Sequence, residues 1–226
     1  MKQLFITGTD TGVGKTFIAR TLLDYIKCRD TSSIGFKPIA SGCEETPEGL
    51  RNEDALALHA ESTIQLDYNE VNPYAFKEAI APHLAAQLAG QSLSVAAITD
   101  AYLSLKLKEP DLLLVEGAGG WRLPLGNGEF MSDFVQQQAM PVLLVVGMRL
   151  GCLNHARLTA EAIERDGLHI AGWVANQIDH DMPYKEENVA TLKELIDAPY
   201  LGHLPLVSKP SEAWPYLDFT PLFRVE

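Results

Sequence analysis

The chain has 226 residues, 46% of them hydrophobic, and a formal net charge of −12. A chain of this length buries roughly 70% of its unfolded surface, so it can build a full core without disulfide staples. An acidic surface without any Lys/Arg run argues against nucleic acid as a partner, and no stretch reaches the ~20 apolar residues of a membrane span.

The three cysteines, Cys28, Cys43 and Cys152, form no CxxC or CxxH pair. This odd count reads as reduced thiols in a cytoplasm rather than a disulfide framework or zinc site. The stretch from Met1 to Asp10 has too short an apolar run for a signal peptide. These features place the protein in the cytoplasm.

In chain order, Lys2 to Thr7 is a short apolar run that ends at the turn signal Gly8. Lys15 to Lys27 follows with Phe17, Ile18, Leu22, Leu23 and Ile26 at helical spacing. Ser33 to Lys37 reads as a second strand. Leu112 to Val115 and Val142 to Val146 are unbroken apolar runs, as expected for strands covered on both faces. Ile170 to Ala175 and the Tyr200-Leu201 region read as further strands, with helices at Asn154 to Asp166 and Lys185 to Ile196. Alternation of this kind predicts a P-loop NTPase-like α/β fold, a largely parallel sheet with helices on both faces. Residues 1–226 read as one domain, and 208–226, with prolines and aromatics, as an irregular docked tail.

The string Gly8-Thr9-Asp10-Thr11-Gly12-Val13-Gly14-Lys15-Thr16 follows a strand and opens a helix, the context a phosphate-binding loop requires. Its glycines let backbone N–H groups turn toward phosphate oxygens, and the helix N-terminus adds roughly half a positive charge. Lys15 then reaches the β- and γ-phosphates, and the Thr16 hydroxyl is placed for Mg²⁺. Thr9 stands where the usual spacing has glycine. Carboxyl ends of parallel strands converge on one rim, so Glu116, closing the Leu112 run, should face the metal. The Gly117-Ala118-Gly119-Gly120 stretch beside it permits close backbone approach. Lys37 brings a cation to the same rim, followed by Ser41. Asp54 alone reads as a helix-start carboxylate. Asn176-Gln177-Ile178-Asp179 faintly resembles a purine-reading NKxD box, but Gln177 replaces its lysine. His155 reads as a helix-start residue, and Trp121, Trp173 and Trp214 as packing.

Several strings together resemble dethiobiotin synthetases: GTDTGVGKT at Gly8–Thr16, GFKPIASG at Gly35–Gly42 and TPEGLRNEDA at Thr46–Ala55. VEGAGGW at Val115–Trp121, LGCLNH at Leu150–His155 and AGWVAN at Ala171–Asn176 add to them, and the match runs from Lys2 to about Pro205. The resemblance implies ATP- and Mg²⁺-dependent ring closure of diaminopelargonate with CO₂, by a homodimer. Under it Lys37 is catalytic, Lys15 assists, and Thr11 and Ser41 bind substrate. Gly12, Val13, Gly14, Lys15, Thr16 and Phe17 take the nucleotide with Asp54, Glu116, Gly117, Ala118 and Gly119. Thr16, Asp54 and Glu116 hold the metal. Asn176, Gln177, Pro205, Leu206, Val207 and Glu212 surround base and ribose, and Gly151, Cys152 and Asn154 line the diamine pocket. Gly12 stands where some members carry Glu. Two rivals come from the same P-loop branch. A partitioning ATPase carries lysine five residues before the P-loop lysine, where this chain has Asp10, and a GTPase switch needs the lysine that Gln177 replaces.

Overall fold

The computed structural model describes residues 1–223. Its central sheet has six parallel strands: β1 (Lys2–Gly8), β2 (Ser33–Phe36), β3 (Leu112–Glu116), β4 (Val142–Met148), β5 (Ile170–Gln177) and β6 (Tyr200–Leu204). They lie in the order β6-β5-β4-β1-β3-β2. The main helices are α1 (Lys15–Lys27), α2 (Glu53–Glu61), α3 (Pro82–Leu88), α4 (Val95–Lys106), α5 (Met131–Gln137), α6 (Cys152–Arg165) and α7 (Lys185–Leu195).

The unbroken apolar strands follow from burial on both faces. In β3, Leu112 and Leu114 point into one core while Leu113 and Val115 point into the other. In β4, Leu143 and Val145 join the first set, and Val142, Leu144 and Val146 the second. Successive side chains alternate across a strand, so each strand needs apolar residues at every position when both faces are covered. One face is covered by α1 with the C-terminal segment, and the other by α3, α4, α5, α6 and α7.

The central strand β1 is flanked by β3 and β4, with Ile6 in register with Glu116 and Gly8 with Val145. After β1 the chain runs to the far edge at β2, returns to β3, then crosses to β4. The carboxyl ends of β1 and its two neighbours therefore meet at a reversal of strand order, where open parallel sheets form their ligand crevice.

The segment after β6 is more regular than the sequence suggests. It forms single helical turns at Pro210–Ala213, Trp214–Tyr216 and Thr220–Phe223. Ala213, Leu217, Phe219 and Leu222 are buried with the apolar face of α1. The Phe219 ring meets Tyr25 of α1 edge-on at 5.4 Å, and the Asp218 amide donates to the Leu201 carbonyl at 2.8 Å. Gly202, at φ 142°, lets this segment cross close above β6, since a Cβ there would collide with the Tyr216 carbonyl. Truncating Phe219 to Ala opens a cavity under α1, and we expect a loss of about 3–5 kcal/mol in urea unfolding. An unchanged denaturation midpoint would mean that the segment lies on α1 without stabilising it.

Candidate active site

The turn between β1 and α1 is built by its glycines. Gly12 and Gly14 have φ of 73° and 89°, in the left-handed region where a side chain is strained. At Gly14 a Cβ would also strike the Asn176 amide nitrogen, because Asn176 at the end of β5 donates to the Val13 carbonyl at 2.8 Å. Asn176 thus braces the loop from β5, two strands away, a contact distinct from the purine edge that its sequence context suggests.

Lys15, at the first position of α1, is buried and donates to the Asp10 carbonyl at 3.1 Å. Burial and the nearby Lys37 ammonium push its pKa down to about 8, against the opposing pull of Glu116, Asp54 and Asp10. A lysine held in this way is poised to gain a strong anionic partner.

Behind the loop lies a compact charge cluster. The Lys37 ammonium is buried and donates to Glu116 Oε1 at 2.6 Å and to Asp54 Oδ2 at 3.0 Å. Thr16 Oγ1 donates to the same Glu116 oxygen at 2.8 Å. Burial alone would drive Lys37 toward its neutral form, but Glu116 and Asp54 outweigh it and raise its pKa. Asp54 is lowered: burial works against its charge, and the Lys37 ammonium and Thr16 hydroxyl override that.

The backbone around the cluster is fixed by polar contacts. The Lys37 amide donates to the Val71 carbonyl at 2.9 Å, and the Asn72 amide group donates to the Lys37 carbonyl at 2.7 Å. Tyr68 links the two sides: its hydroxyl donates to Asn72 Oδ1 at 3.1 Å and accepts from the Asn52 amide at 2.8 Å. Asn52 caps α2 by accepting from the Ala55 amide at 3.2 Å, which sets Asp54 in the first turn, where the helix dipole favours a carboxylate. The turn after Glu116 is anchored by Trp121. Its Nε1 donates to Asp166 Oδ2 at 2.8 Å, and its ring packs edge-on against Phe5 at 5.9 Å.

Among the described residues no three His, Cys, Asp or Glu side chains gather as a closed metal cage. Glu116 Oε2, however, is buried without a hydrogen-bond partner, beside Thr16 and Asp54. Two carboxylates and a hydroxyl are the hard oxygen donors that suit Mg²⁺, which commonly takes one or two carboxylates and completes its shell with phosphate and water.

A cleft of about 820 Å³ opens over these groups, lined by Thr11, Gly12, Gly14, Lys15, Thr16, Lys37, Ser41, Asp54, Glu116, Ala118 and Gly119 among others. Its far wall is Ala79-Ile80-Ala81-Pro82, small and apolar side chains that carry no chemical signal in sequence. A second hollow of about 290 Å³ joins it at Gly12 and is lined by Phe17, Asn176, Gln177, Pro205, Leu206 and Val207, with Ile178 and Leu204. Gln177 is engaged with the Asp179 carbonyl and with His203. Val13 is buried under the loop, and Gly117 packs against the Phe5 ring.

Val13 and Gly117 thus line neither hollow, and four more expected residues lie outside both. Glu212 caps its own short turn by accepting from the Ser208 and Lys209 amides at 3.0 and 3.2 Å. Gly151, Cys152 and Asn154 sit at the start of α6, with Cys152 buried in the core and Gly151 and Asn154 exposed.

A loop of amides at the tip of a central parallel strand, with lysine and hydroxyl at the helix start and a carboxylate from the adjoining strand, defines a P-loop nucleoside-triphosphate-binding protein. The comparisons agree with that class. A family profile described as an AAA domain matches residues 2–213. The MinC:MinD cell division protein complex of Aquifex aeolicus has the same fold, with a TM-score of 0.58 at 15% identity, covering 91% of this chain and 81% of that one. ATP-dependent dethiobiotin synthetase BioD of Cellvibrio japonicus is 52% identical over 223 residues, spanning 98% of this chain and 97% of its own. The proteins of the same name from Pseudomonas aeruginosa and Aeromonas salmonicida are 51% and 47% identical, each over 98% of this chain and 98% and 99% of theirs. The chain belongs to the dethiobiotin synthetase family.

The depressed Lys15 predicts a pH dependence. Below about 8 the ammonium is present, and above it the free protein carries a neutral amine at the loop. Affinity for a non-hydrolysable triphosphate analogue should therefore weaken as pH rises from 7.5 to 9.5, and binding near pH 9 should take up protons. Calorimetry in buffers of different ionisation enthalpy checks both; a pH-independent affinity would remove Lys15 from the phosphate site.

Proposed function

We propose that the chain closes diaminopelargonate and CO₂ into the cyclic urea dethiobiotin, converting ATP to ADP and phosphate. The observation that carries this reading is a P-loop lysine and a second buried lysine, Lys37, facing one cleft within a chain about half identical to dethiobiotin synthetases along nearly its whole length.

The chemistry proceeds in three balanced steps. One amine adds to CO₂ and loses a proton, giving a carbamate. A carbamate oxygen attacks the γ-phosphorus, the bond to the bridging oxygen breaks, and ADP leaves. The second amine then attacks the carbamoyl carbon and expels phosphate, and loss of its proton completes the ring. No protein nucleophile is required, so the residues act by placement and charge neutralisation.

Carbamate and triphosphate repel each other, and Lys15 and Lys37 stand where the two must meet. Lys37 is fixed through its backbone by Asn72 and Val71, so little reorganisation is needed as charge develops. Thr11 and Ser41 line the same cleft and would orient the diamine. The hollow at Phe17, Asn176, Gln177 and Pro205 to Val207 would take the base, and Glu212 would support it by fixing the turn after Val207. Thr16, Asp54 and Glu116 would hold Mg²⁺, which when bound neutralises phosphate charge. Gly151, Cys152 and Asn154 do not line the cleft of their own chain. Their assignment to the diamine pocket goes with the homodimer that the family resemblance implies, the second copy offering the exposed Gly151 and Asn154, with Cys152 buried behind them. Three thiols without a disulfide among the described residues suit a cytoplasmic enzyme. A switch of the same P-loop branch hydrolyses nucleotide without diamine or bicarbonate, whereas this reaction needs both.

Incubation with ATP, diaminopelargonate and ¹³C-bicarbonate should yield a product one labelled carbon heavier, and omission of either co-substrate should stop ADP release. Nucleotide turnover indifferent to both would refute the synthetase reading. Lys37→Ala should lower turnover by more than about a hundredfold, the range for losing one electrostatic stabiliser, with folding checked by circular dichroism. Near-normal turnover would exclude Lys37 from the reaction.

A further inference from the structure

Asp10 lies at the apex of the phosphate loop and makes three contacts in three directions. Its Oδ1 accepts the Thr11 amide at 2.7 Å, its Oδ2 accepts from Arg149 Nη2, and its carbonyl accepts the Lys15 ammonium at 3.1 Å. Arg149 directly follows β4, and its carbonyl accepts from the Cys152 amide at 3.0 Å, which ties the turn before α6. β4 already grips the preceding residue: the Thr9 amide donates to the Val145 carbonyl at 3.0 Å. The Arg149 guanidinium extends that grip by one residue, to the position whose carbonyl meets Lys15.

We propose that Asp10 is a positioning residue for phosphoryl transfer, and that Arg149 holds it so that the Asp10 carbonyl sets the Lys15 ammonium over the phosphate site. Two charges make this a directed contact rather than a loose one. The Thr11 amide does most to keep the Asp10 carboxyl below its usual range, and with Arg149 and the nearby His155 it outweighs the opposing effect of burial. The Asp10 carboxylate is therefore favoured in its charged form, the form that Arg149 pairs with. Only one backbone step separates the carboxylate from the carbonyl, so a shift of the side chain is passed directly to Lys15.

Exposure separates positioning from stability. The Asp10 and Arg149 side chains are 46% and 39% exposed, and ion pairs so open to water contribute little to folding. If the pair served the fold alone, its loss would be nearly silent. As a positioning device, its loss falls on catalysis, where misplacement by about 1 Å costs up to a hundredfold.

The proposal rests on the phosphoryl-transfer reading above, and the test keeps the two apart. The parent enzyme must give labelled product and serves as the control for that reading. Asp10→Asn retains an oxygen for the Thr11 amide and removes the charge that Arg149 grips. We expect kcat to fall about tenfold, KM for ATP to change less than about threefold, and the melting temperature to move less than about 3 °C. Arg149→Met should match it, and Arg149→Lys should recover most of the rate. If Asp10→Asn does not fold, Arg149→Met and Arg149→Lys carry the comparison. Asp10→Asn and Arg149→Met with kcat within twofold of the parent would overturn the proposal. So would a rate loss accompanied by a fall in melting temperature beyond about 6 °C, or an Arg149→Lys variant as slow as Arg149→Met.

Discussion

The architecture of the site turns on one buried ammonium. Lys37 sits between Glu116 and Asp54, and these three groups arrive from the end of β2, the end of β3 and the first turn of α2. Removing one partner from a buried ion pair costs about 3–5 kcal/mol, because the other charge is left uncompensated. The three elements must therefore meet in register for the rim to exist. Parallel pairing of β2 with β3 brings Phe36 level with Val115, which places the residues that follow, Lys37 and Glu116, side by side. The polar chain from Asn52 through Tyr68 to Asn72 then holds α2 against that rim. The same cluster that closes the sheet edge lines the cleft, so fold and chemistry share one electrostatic constraint.

Much of this was legible in the sequence because the signals were local. The apolar runs of β3 and β4 require cover on both faces, and a glycine-rich turn between strand and helix predicts the phosphate loop. Glu116 followed from strand direction alone. Asp54 did not: its neighbours announce a helix start, and only the Asn52–Tyr68–Asn72 link, made across a turn, brings it to Lys37. The far wall of the cleft, Ala79 to Pro82, was equally hidden, since small apolar side chains match any loop. Arg149 offered no signal, because its partner lies 139 residues away in sequence. The α4 helix carried one that was passed over: Ser94, whose side chain caps the Ala97 amide.

Asn176 makes a contact that its motif does not suggest. A motif likeness pointed to a base-reading role, and the residue does line the hollow proposed for the base. Yet its amide nitrogen is engaged by the Val13 carbonyl, so β5 steadies the phosphate loop through it. Gly14 is glycine for two reasons at once, its backbone angle and the Asn176 side chain beside it. Two positions of the loop thus couple it to strands on both sides, Val13 to Asn176 of β5 and Thr16 to Glu116 of β3.

The segment beyond β6 bears on how the molecule is assembled as it is made. The helix that carries Lys15 and Thr16 is synthesised well before Leu217, Phe219 and Leu222, which cover it. Until that segment is made the helix has a bare apolar flank, and contacts far apart in sequence are what close it. Such long-range closure is slow and leaves nascent chains prone to stick to one another. Synthesis of this enzyme therefore has a sensitive interval that lasts until Leu217, Phe219 and Leu222 can dock.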